Sequence, residues 1–536
     1  MSIFFKYKFV ILAGSAIILL YFFLRIVNLT ILPVFVDEAI YIRWAQVMRN
    51  EPTLRFLPLS DGKQPLFMWS IIPLFKLFSD PLVAGRMVSV AAGFATLIGI
   101  FALTLYLFRS RKTALVASLI YAISPFTVLF DRMALVDSML AMFGVWTLFF
   151  GILTVRTLRL DFAMLAGFAL GGALITKSPA LFFSLLLPVS LLLAKWPKKN
   201  SQRLYQLIKI ILLFIVIYGL AYGIYNILRL GPNFNLIATR NQDYVLPLSH
   251  LWTNSLDPFM PHIDRAKEWL WILGPNIFLI GVLFGILIGL KNNLRKTLLV
   301  VLWAAVPIVV QAEFAKVFTA RYMFFSLPFL AILTAIPFLV KNKIAKFLSL
   351  AALLIFIGQA LWINYRLVTN PETAPLPQSE RSGYLEEWTA GTGIREIADF
   401  IKSKPIEPGK KIIIGTEGYF GTLPDGLQIY LEKFPQIVVI GVGISITEVP
   451  EQLKNAKKAG DKVYLVANSS RMLEKFEIDA TQAAKKAEKL GLAVVSSYPK
   501  AKRARTDTHQ YLFYGERDYL YLFEVTERAL NSQNED

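Results

Sequence analysis

Hydrophobic positions along this chain fall into long blocks separated by short polar bursts. The blocks lie at about 9–28, 82–108, 113–130, 138–157, 160–176, 180–195, 204–229, 269–290, 297–312, 321–340 and 344–366. A helix needs roughly 20 residues to cross a hydrocarbon core of about 30 Å. Water is absent there, so backbone groups must pair internally and such blocks must be helical. The pattern predicts about eleven spans. The stretch 66–79 is also apolar, but Pro65, Pro73, Lys76 and Pro81 interrupt or flank it, which predicts a re-entrant or interfacial segment. Near the start, Lys6 and Lys8 precede an apolar run from Phe9 to about Val27. That run is too long for a signal peptide and lacks a small-residue cleavage site, so it reads as the first retained span.

Past residue 370 the pattern changes. Pro371, Pro375 and Pro377 mark a linker. Beyond it, Lys411–Gly415, Gln436–Ile440, Val463–Ala467, Leu492–Ser496 and Tyr519–Val525 read as strands, with helices near 449–459 and 479–489. The expected organisation is a membrane domain over 1–368, with outer loops 29–81 and 230–268, a linker over 369–378 and a soluble α/β domain over 379–536. No internal repeat or low-complexity tract is evident.

Charge placement adds an orientation. With the N-terminus in the cytoplasm, the inner ends collect Lys6 and Lys8; Arg109, Arg111 and Lys112; Arg156 and Arg159; Lys195, Lys198, Lys199 and Arg203; Lys291, Arg295 and Lys296; and Lys341, Lys343 and Lys346. Every short inner loop is basic, as the positive-inside rule requires. Counting 66–79 as a full span would invert everything after it. The expected location is a cell membrane, crossed many times, with the C-terminal domain extracytoplasmic. Composition agrees: 55% of the 536 residues are hydrophobic and 17% charged, whereas soluble domains sit near 25% charged. The net charge of +19 is scattered between apolar blocks, which argues against nucleic acid as a partner. There are no cysteines, which excludes thiolate metal sites and disulfides. The three histidines, His250, His262 and His509, have no helical metal-ligand spacing, and His250 and His262 read as ordinary loop residues.

The topology gathers polar residues, most of them charged, from separate segments onto the outer face: Asp37 and Glu38; Lys63; Asp131, Arg132 and Asp137; Lys177; and Glu313, Lys316, Arg321 and Tyr322. Charges at the edge of hydrocarbon are costly unless paired or functional. One reaction suits the set. A sugar on a polyprenyl phosphate has a leaving group that is already a stable anion, so cations matter more than an acid. The acceptor then needs one carboxylate base, unlike glycoside hydrolysis, where a second carboxyl protonates the leaving oxygen.

These residues also carry a resemblance. Val36-Asp-Glu-Ala-Ile-Tyr41 resembles the Asp-Glu motif in the first outer loop of lipid-phosphate-sugar-dependent glycosyltransferases of the GT-C fold. Arg132-Met-Ala-Leu-Val-Asp137-Ser-Met-Leu resembles the Arg-x-x-x-x-Asp-Ser-x-Leu stretch of protein O-mannosyltransferases. Lys63-Gln-Pro-Leu-Phe-Met-Trp69 is similar to a Lys-Pro-Pro-(x)-Trp segment shared with lipid A aminoarabinose transferases, and Thr176-Lys-Ser-Pro179 and Arg321-Tyr322 with Pro328 fit those relatives. The resemblance covers about residues 1–366. It implies a polytopic α-helical GT-C protein that transfers a sugar, with inversion, from a polyprenyl-phosphate donor to a protein, lipid or glycan acceptor. It further implies Asp37 as base, Glu38 as its neighbour shaping the site, and Asp137 and Arg132 as supports of the acceptor side or the loop. Lys63 and Lys177 would bind donor phosphate, with Arg321 and Tyr322 also on the substrate side.

Departures leave the acceptor class open. Ala39, Ile40 and Tyr41 stand where aminoarabinose transferases usually have an Arg, with Arg43 further on, and 230–268 is far too short for a mannosyltransferase β-trefoil. Asp37, Glu38 and Asp137 are hard ligands for Mg²⁺ or Mn²⁺, while the two lysines could neutralise phosphate without a metal. Asp37 could instead cap the helix that runs through Glu38–Arg49, Glu38 could compensate its dipole, and Asp131-Arg132 could be a local ion pair. Lys63, Lys177, Lys316 and Arg321 could be interfacial anchors. Gly415-Thr-Glu-Gly-Tyr-Phe-Gly421 lacks G-x-G-x-x-G spacing and reads as a plain strand-to-helix turn. A lipid or polysaccharide transporter or flippase is the rival reading, but it expects matching halves and polar residues through the membrane depth.

Overall fold

A computed structural model describes residues 2–473, 479–507, 510–513 and 516–531, with the side chains of 2–7, 505–507, 510–513 and 531 also left aside. His509 and the Lys6 side chain therefore lie outside the described residues. The chain divides into two compact units. One comprises Met1–Val27, Glu51–Ser70 and Arg86–Val368; the other comprises Asn28–Asn50, Ile71–Gly85 and Thr369–Asp536.

The first unit is helical. Among the described residues seven helices are long and apolar enough to cross a membrane, or eight if the bent pair Arg111–Ile123 and Pro125–Asp131 counts as one span. The difference from eleven has identifiable causes. Leu160–Leu174 and Ser178–Leu193 are apolar but short. Asn276–Phe314 is two helices joined at Asn293, whose backbone (φ −143°, ψ 47°) is not helical. A Cβ on Gly289 would lie 2.5 Å from Thr297 Oγ1, although eight residues of straight helix would separate them by about 12 Å. The chain therefore doubles back at Asn293, where the sequence expected a basic turn between two spans. Residues 66–79 form a short helix, Leu66–Ile71, followed by a 3₁₀ turn, Ile72–Lys76.

The 59° bend between Arg111–Ile123 and Pro125–Asp131 has a local and a long-range cause. Pro125 opens the second helix, where its missing N–H is not needed. The last carbonyls of the first helix must find other donors. Arg25 Nη1 donates to Ala122 O at 2.6 Å, Asn364 Nδ2 to Ile123 O at 2.7 Å, and Thr127 Oγ1 to Tyr121 O at 2.5 Å.

The second unit contains the α/β fold expected for the C-terminal region. Its strands are β1 (Val34–Phe35), β2 (Ala390–Gly391), β3 (Ile412–Glu417), β4 (Ile437–Gly443), β5 (Lys462–Asn468), β6 (Leu492–Pro499), β7 (Ala504–Asp507), β8 (Gln510–Phe513) and β9 (Tyr519–Val525). The main sheet has the order β4-β3-β5-β9-β6, parallel across β4, β3 and β5 and antiparallel at β9. All five strands expected from sequence are present, as are helices Glu451–Lys458 and Ala480–Lys489. The β1–β2 pair, the β7–β8 hairpin and helix Ile394–Lys402 were not anticipated.

The compact units cut across the expected domain bounds. Residues 29–81 lie within the expected membrane domain, whereas Asn28–Asn50 and Ile71–Gly85 cluster with the second unit. β1 pairs antiparallel with β2, Val34 opposite Gly391. Helix Val36–Asn50 packs on helix Asp425–Leu431: Arg43 Nε donates to Gln428 Oε1 at 3.1 Å, Gln46 Nε2 to Ile429 O at 2.9 Å, and Arg49 meets Glu432 at 2.8 Å. The expected linker is structured too, with Pro371, Ala374 and Leu376 buried.

Glu417, at the end of β3, is 4% exposed and accepts from the Asn468 N–H at 2.6 Å and from Asn468 Nδ2 at 2.5 Å. Burial outweighs these bonds and raises its carboxyl from 4.5 to about 7. The folded state therefore holds a proton that the unfolded chain has released between about pH 4.5 and 7. Stability falls as pH rises through that window, by about 3 kcal/mol in all. Burial raises Asp425 to about 6, with the same sign. Asn468 Oδ1 is buried without a partner among the described residues, so a flipped amide could accept from a glutamine at 417. Glu417→Gln is expected to stabilise the protein by about 1–3 kcal/mol at pH 8 and to flatten the pH dependence above pH 6. Thermal unfolding of the full chain from pH 5 to 8 checks this; a variant profile parallel to wild type would refute it.

Candidate active site

Within the helical unit, residues from three sequence-distant segments meet. Asp137 lies in the first turn of helix Val136–Thr157, where the helix dipole favours a carboxylate. Its side chain is 1% exposed. Lys177 follows helix Leu160–Leu174 with extended backbone (φ −162°, ψ 143°), and its Nζ donates to Asp137 Oδ1 at 2.6 Å. Such a charge-assisted bond is short and roughly twice as strong as a neutral one. Asp137 Oδ2 is buried and accepts no hydrogen bond among the described residues. The Lys177 side chain is 21% exposed, with Nζ 4.5 Å from the centroid of the Tyr322 ring. The Arg321 guanidinium lies 5.6 Å from the same ring, and Gln311 Nε2 holds the Tyr322 carbonyl at 3.1 Å.

The Lys63 loop is tied to the Lys177 turn. Gln64 Nε2 donates to Ser178 Oγ at 2.9 Å, and the Leu66 N–H donates to Ile175 O at 3.2 Å. The loop turns at Gly62, whose φ of +63° is left-handed and suits glycine. A Cβ there would also lie 2.6 Å from Leu236 O. Lys63 Nζ meets Asp61 at 3.2 Å, and Asp61 also pairs with Arg240 at 3.0 Å. The structure thus brings Asp137, Lys177, Tyr322 and Arg321 together and anchors the Lys63 loop beside them.

Residues 62–222 match the family described as dolichyl-phosphate-mannose-protein mannosyltransferase, a stretch that contains Lys63, Arg132, Asp137 and Lys177. The structure is similar to that of ArnT from Cupriavidus metallidurans in the apo state, with a TM-score of 0.58 at 14% identity over 98% of this chain and 100% of that one. The chain has the GT-C fold of membrane glycosyltransferases. The same ArnT bound to undecaprenyl phosphate aligns with a TM-score of 0.54 at 16% identity, covering 96% of this chain and 98% of that one. The apo oligosaccharyltransferase of Archaeoglobus fulgidus aligns at 0.50 and 13% identity, covering 95% of this chain and 75% of that one. No curated protein matches the sequence.

On this GT-C scaffold several expected site residues hold structural positions. Arg132 is 1% exposed, and its Nη1 donates to Leu24 O and Val27 O, both at 2.8 Å, which clamps the end of the first helix. The alternative of a local Asp131-Arg132 ion pair is not the contact Asp131 makes. Asp131, fully buried, pairs with Arg25 at 3.0 Å. It also accepts from Ser138 Oγ at 2.8 Å and from the Tyr121 hydroxyl at 3.3 Å. Arg25 is stacked 3.8 Å from the centroid of the Tyr21 ring. Gly93 makes room, since a Cβ there would come within 2.5 Å of Asp131 Cγ. Arg25 was not singled out from sequence, although an arginine inside an apolar span was the available signal.

Asp37 and Glu38 belong to the other unit. Helix Val36–Asn50 begins before Asp37, which lies in its first turn. Glu38 Oε2 accepts the Phe35 N–H at 3.0 Å, the reach-back contact of a capping box, and its side chain is buried. Lys316 Nζ donates to Gln242 O at 2.8 Å, binding loop 230–268 to the end of the long helix. His262 is not a loop residue: it is buried in helix Phe259–Ile272, with Nδ1 2.9 Å from Ala312 O. Among the described residues no group of three or more His, Cys, Asp or Glu side chains is arranged to hold a metal ion.

Proposed function

We propose that this protein is an inverting membrane glycosyltransferase that moves a sugar from a polyprenyl-phosphate donor to an extracytoplasmic acceptor. The observation that carries the reading is the pairing of buried Asp137 with Lys177 beside Arg321-Tyr322, on a fold shared with a protein captured with undecaprenyl phosphate. Lys177 and Lys63 hold the donor phosphate. Its charge is present before the bond breaks, so prearranged cations stabilise departure without proton transfer. Asp137 orients Lys177, and Tyr322 limits where its ammonium can move. Arg132 orients the loop before Asp137. Asp37 is assigned as base by its sequence motif, with Glu38 fixing the helix turn that carries it. The donor sugar is mannose-like or another hexose or pentose, and the acceptor is a protein, lipid or cell-surface glycan. The N-terminus is cytoplasmic and the C-terminal unit extracytoplasmic.

The direct test supplies purified protein with a panel of polyprenyl-phosphate sugars and follows product by mass spectrometry. Transfer from at least one donor supports the reading; no consumption of any donor by folded protein overturns it. Lys177→Gln keeps a hydrogen bond to Asp137 but removes the cation. It is expected to raise the donor KM about 10–100-fold, equivalent to about 1.5–3 kcal/mol of charge-assisted bonding, with little change in acceptor KM. An unchanged donor KM would remove Lys177 from the phosphate site.

A further inference from the structure

Helix Val136–Thr157 has a second charged end. Arg156 is nineteen residues beyond Asp137, so the two lie about 29 Å apart along the helix, close to the thickness of a hydrocarbon core. At the Arg156 end is a cavity of about 910 Å³, within the size range of ligand pockets. Arg156, Lys195, Arg203, Arg295 and Lys296 line it together with Trp196 and apolar neighbours, and no carboxylate does. Among the described residues none of these five cations makes an ion pair. Arg156 Nε and Arg203 Nε donate to the carbonyls of Leu193 and Pro197, at 3.1 and 2.7 Å. These bonds fix the guanidinium groups without neutralising them.

The positive-inside rule explains why cations collect at this end of the helices. It does not require them to surround one concave space. Four segments do so here, because the chain doubles back at Asn293 and carries Arg295 and Lys296 to the wall that Arg156, Lys195 and Arg203 complete. Five like charges repel until an anion joins them. Trp196, 43% exposed at the rim, is a residue type that favours the headgroup level.

We propose that this cavity binds the phosphate head group of an anionic membrane lipid, in the leaflet opposite Lys177. Guanidinium groups bind phosphate oxygens in pairs, and basic pockets between spans on the cytoplasmic side suit such head groups. The site does not depend on the transferase reading. Among the described residues neither the Lys195 nor the Arg295 side chain makes a hydrogen bond or ion pair that holds the fold together, so Lys195→Gln/Arg295→Gln is a clean probe. Native mass spectrometry after exchange from nanodiscs should find phosphatidylglycerol retained about tenfold more than phosphatidylcholine by wild type, and the preference lost in the double variant. Lys195→Arg/Arg295→Lys, which keeps both charges, should retain it. Thermal unfolding should show stabilisation by phosphatidylglycerol that millimolar inorganic phosphate does not reproduce. Equal retention of the two lipids, or by wild type and the glutamine variant, overturns the proposal. Equal stabilisation by inorganic phosphate overturns the lipid assignment in favour of a free anion.

Discussion

Asp37→Asn is expected to lower sugar transfer by about 10²–10⁴-fold, the contribution typical of a positioned general base. The amide has the same shape but cannot take the acceptor's proton. The loss should fall on kcat, with the donor KM nearly unchanged, because donor binding is assigned to the lysines. The neighbouring carboxylate gives the contrast. Glu38 is buried and accepts the Phe35 N–H, so Glu38→Gln should cost about 1 kcal/mol of local stability through the weakened cap and a smaller part of the activity. Single-turnover transfer measured with both variants separates the roles. Near-normal turnover by Asp37→Asn would remove it as base, and a larger loss in Glu38→Gln would exchange the assignments.

Arg25→Met should destabilise the helical unit by about 3–5 kcal/mol, the usual cost of leaving one member of a buried ion pair behind. Asp131 would keep the Ser138 and Tyr121 hydroxyls but lose its cation. The carbonyl of Ala122, now served by Arg25 at 2.6 Å, would lose its donor as well. Adding Asp131→Asn removes the stranded charge while keeping an acceptor for Ser138. The double variant should therefore recover a large part of the loss. Thermal unfolding in nanodiscs decides the matter: a single variant as stable as wild type, or a double variant no better than the single, would contradict the role given to this pair.

The difference between Asp131 and Asp137 shows where sequence reasoning reached its limit. Asp131 ends one helix just before the motif, and Asp137 lies within it in the first turn of the next; both are buried and paired. Asp131 finds Arg25 from the first helix, whereas Asp137 finds Lys177 from a turn forty residues on. The motif made Asp137 and Lys177 candidates, but nothing in the spacing linked them. Arg25 carried a warning in its own span, yet its partner could not be read without knowing which helices pack together. Glu38 was open between dipole compensation and chemistry, and only the Phe35 N–H gave it a cap to complete.

By itself the sequence determined the helical apolar blocks, the basic ends between them and the five sheet strands of the C-terminal region. Those features follow from residues near one another in the chain: runs long enough to cross hydrocarbon, and alternation suited to a half-buried strand. Only the tertiary structure decided that Asn28–Asn50 joins the C-terminal unit, that the chain doubles back at Asn293, and which charge meets which. A buried ion pair depends on packing between distant segments, and desolvation makes the wrong partner costly. Local pattern can signal that a charge needs a partner; the packed fold selects it.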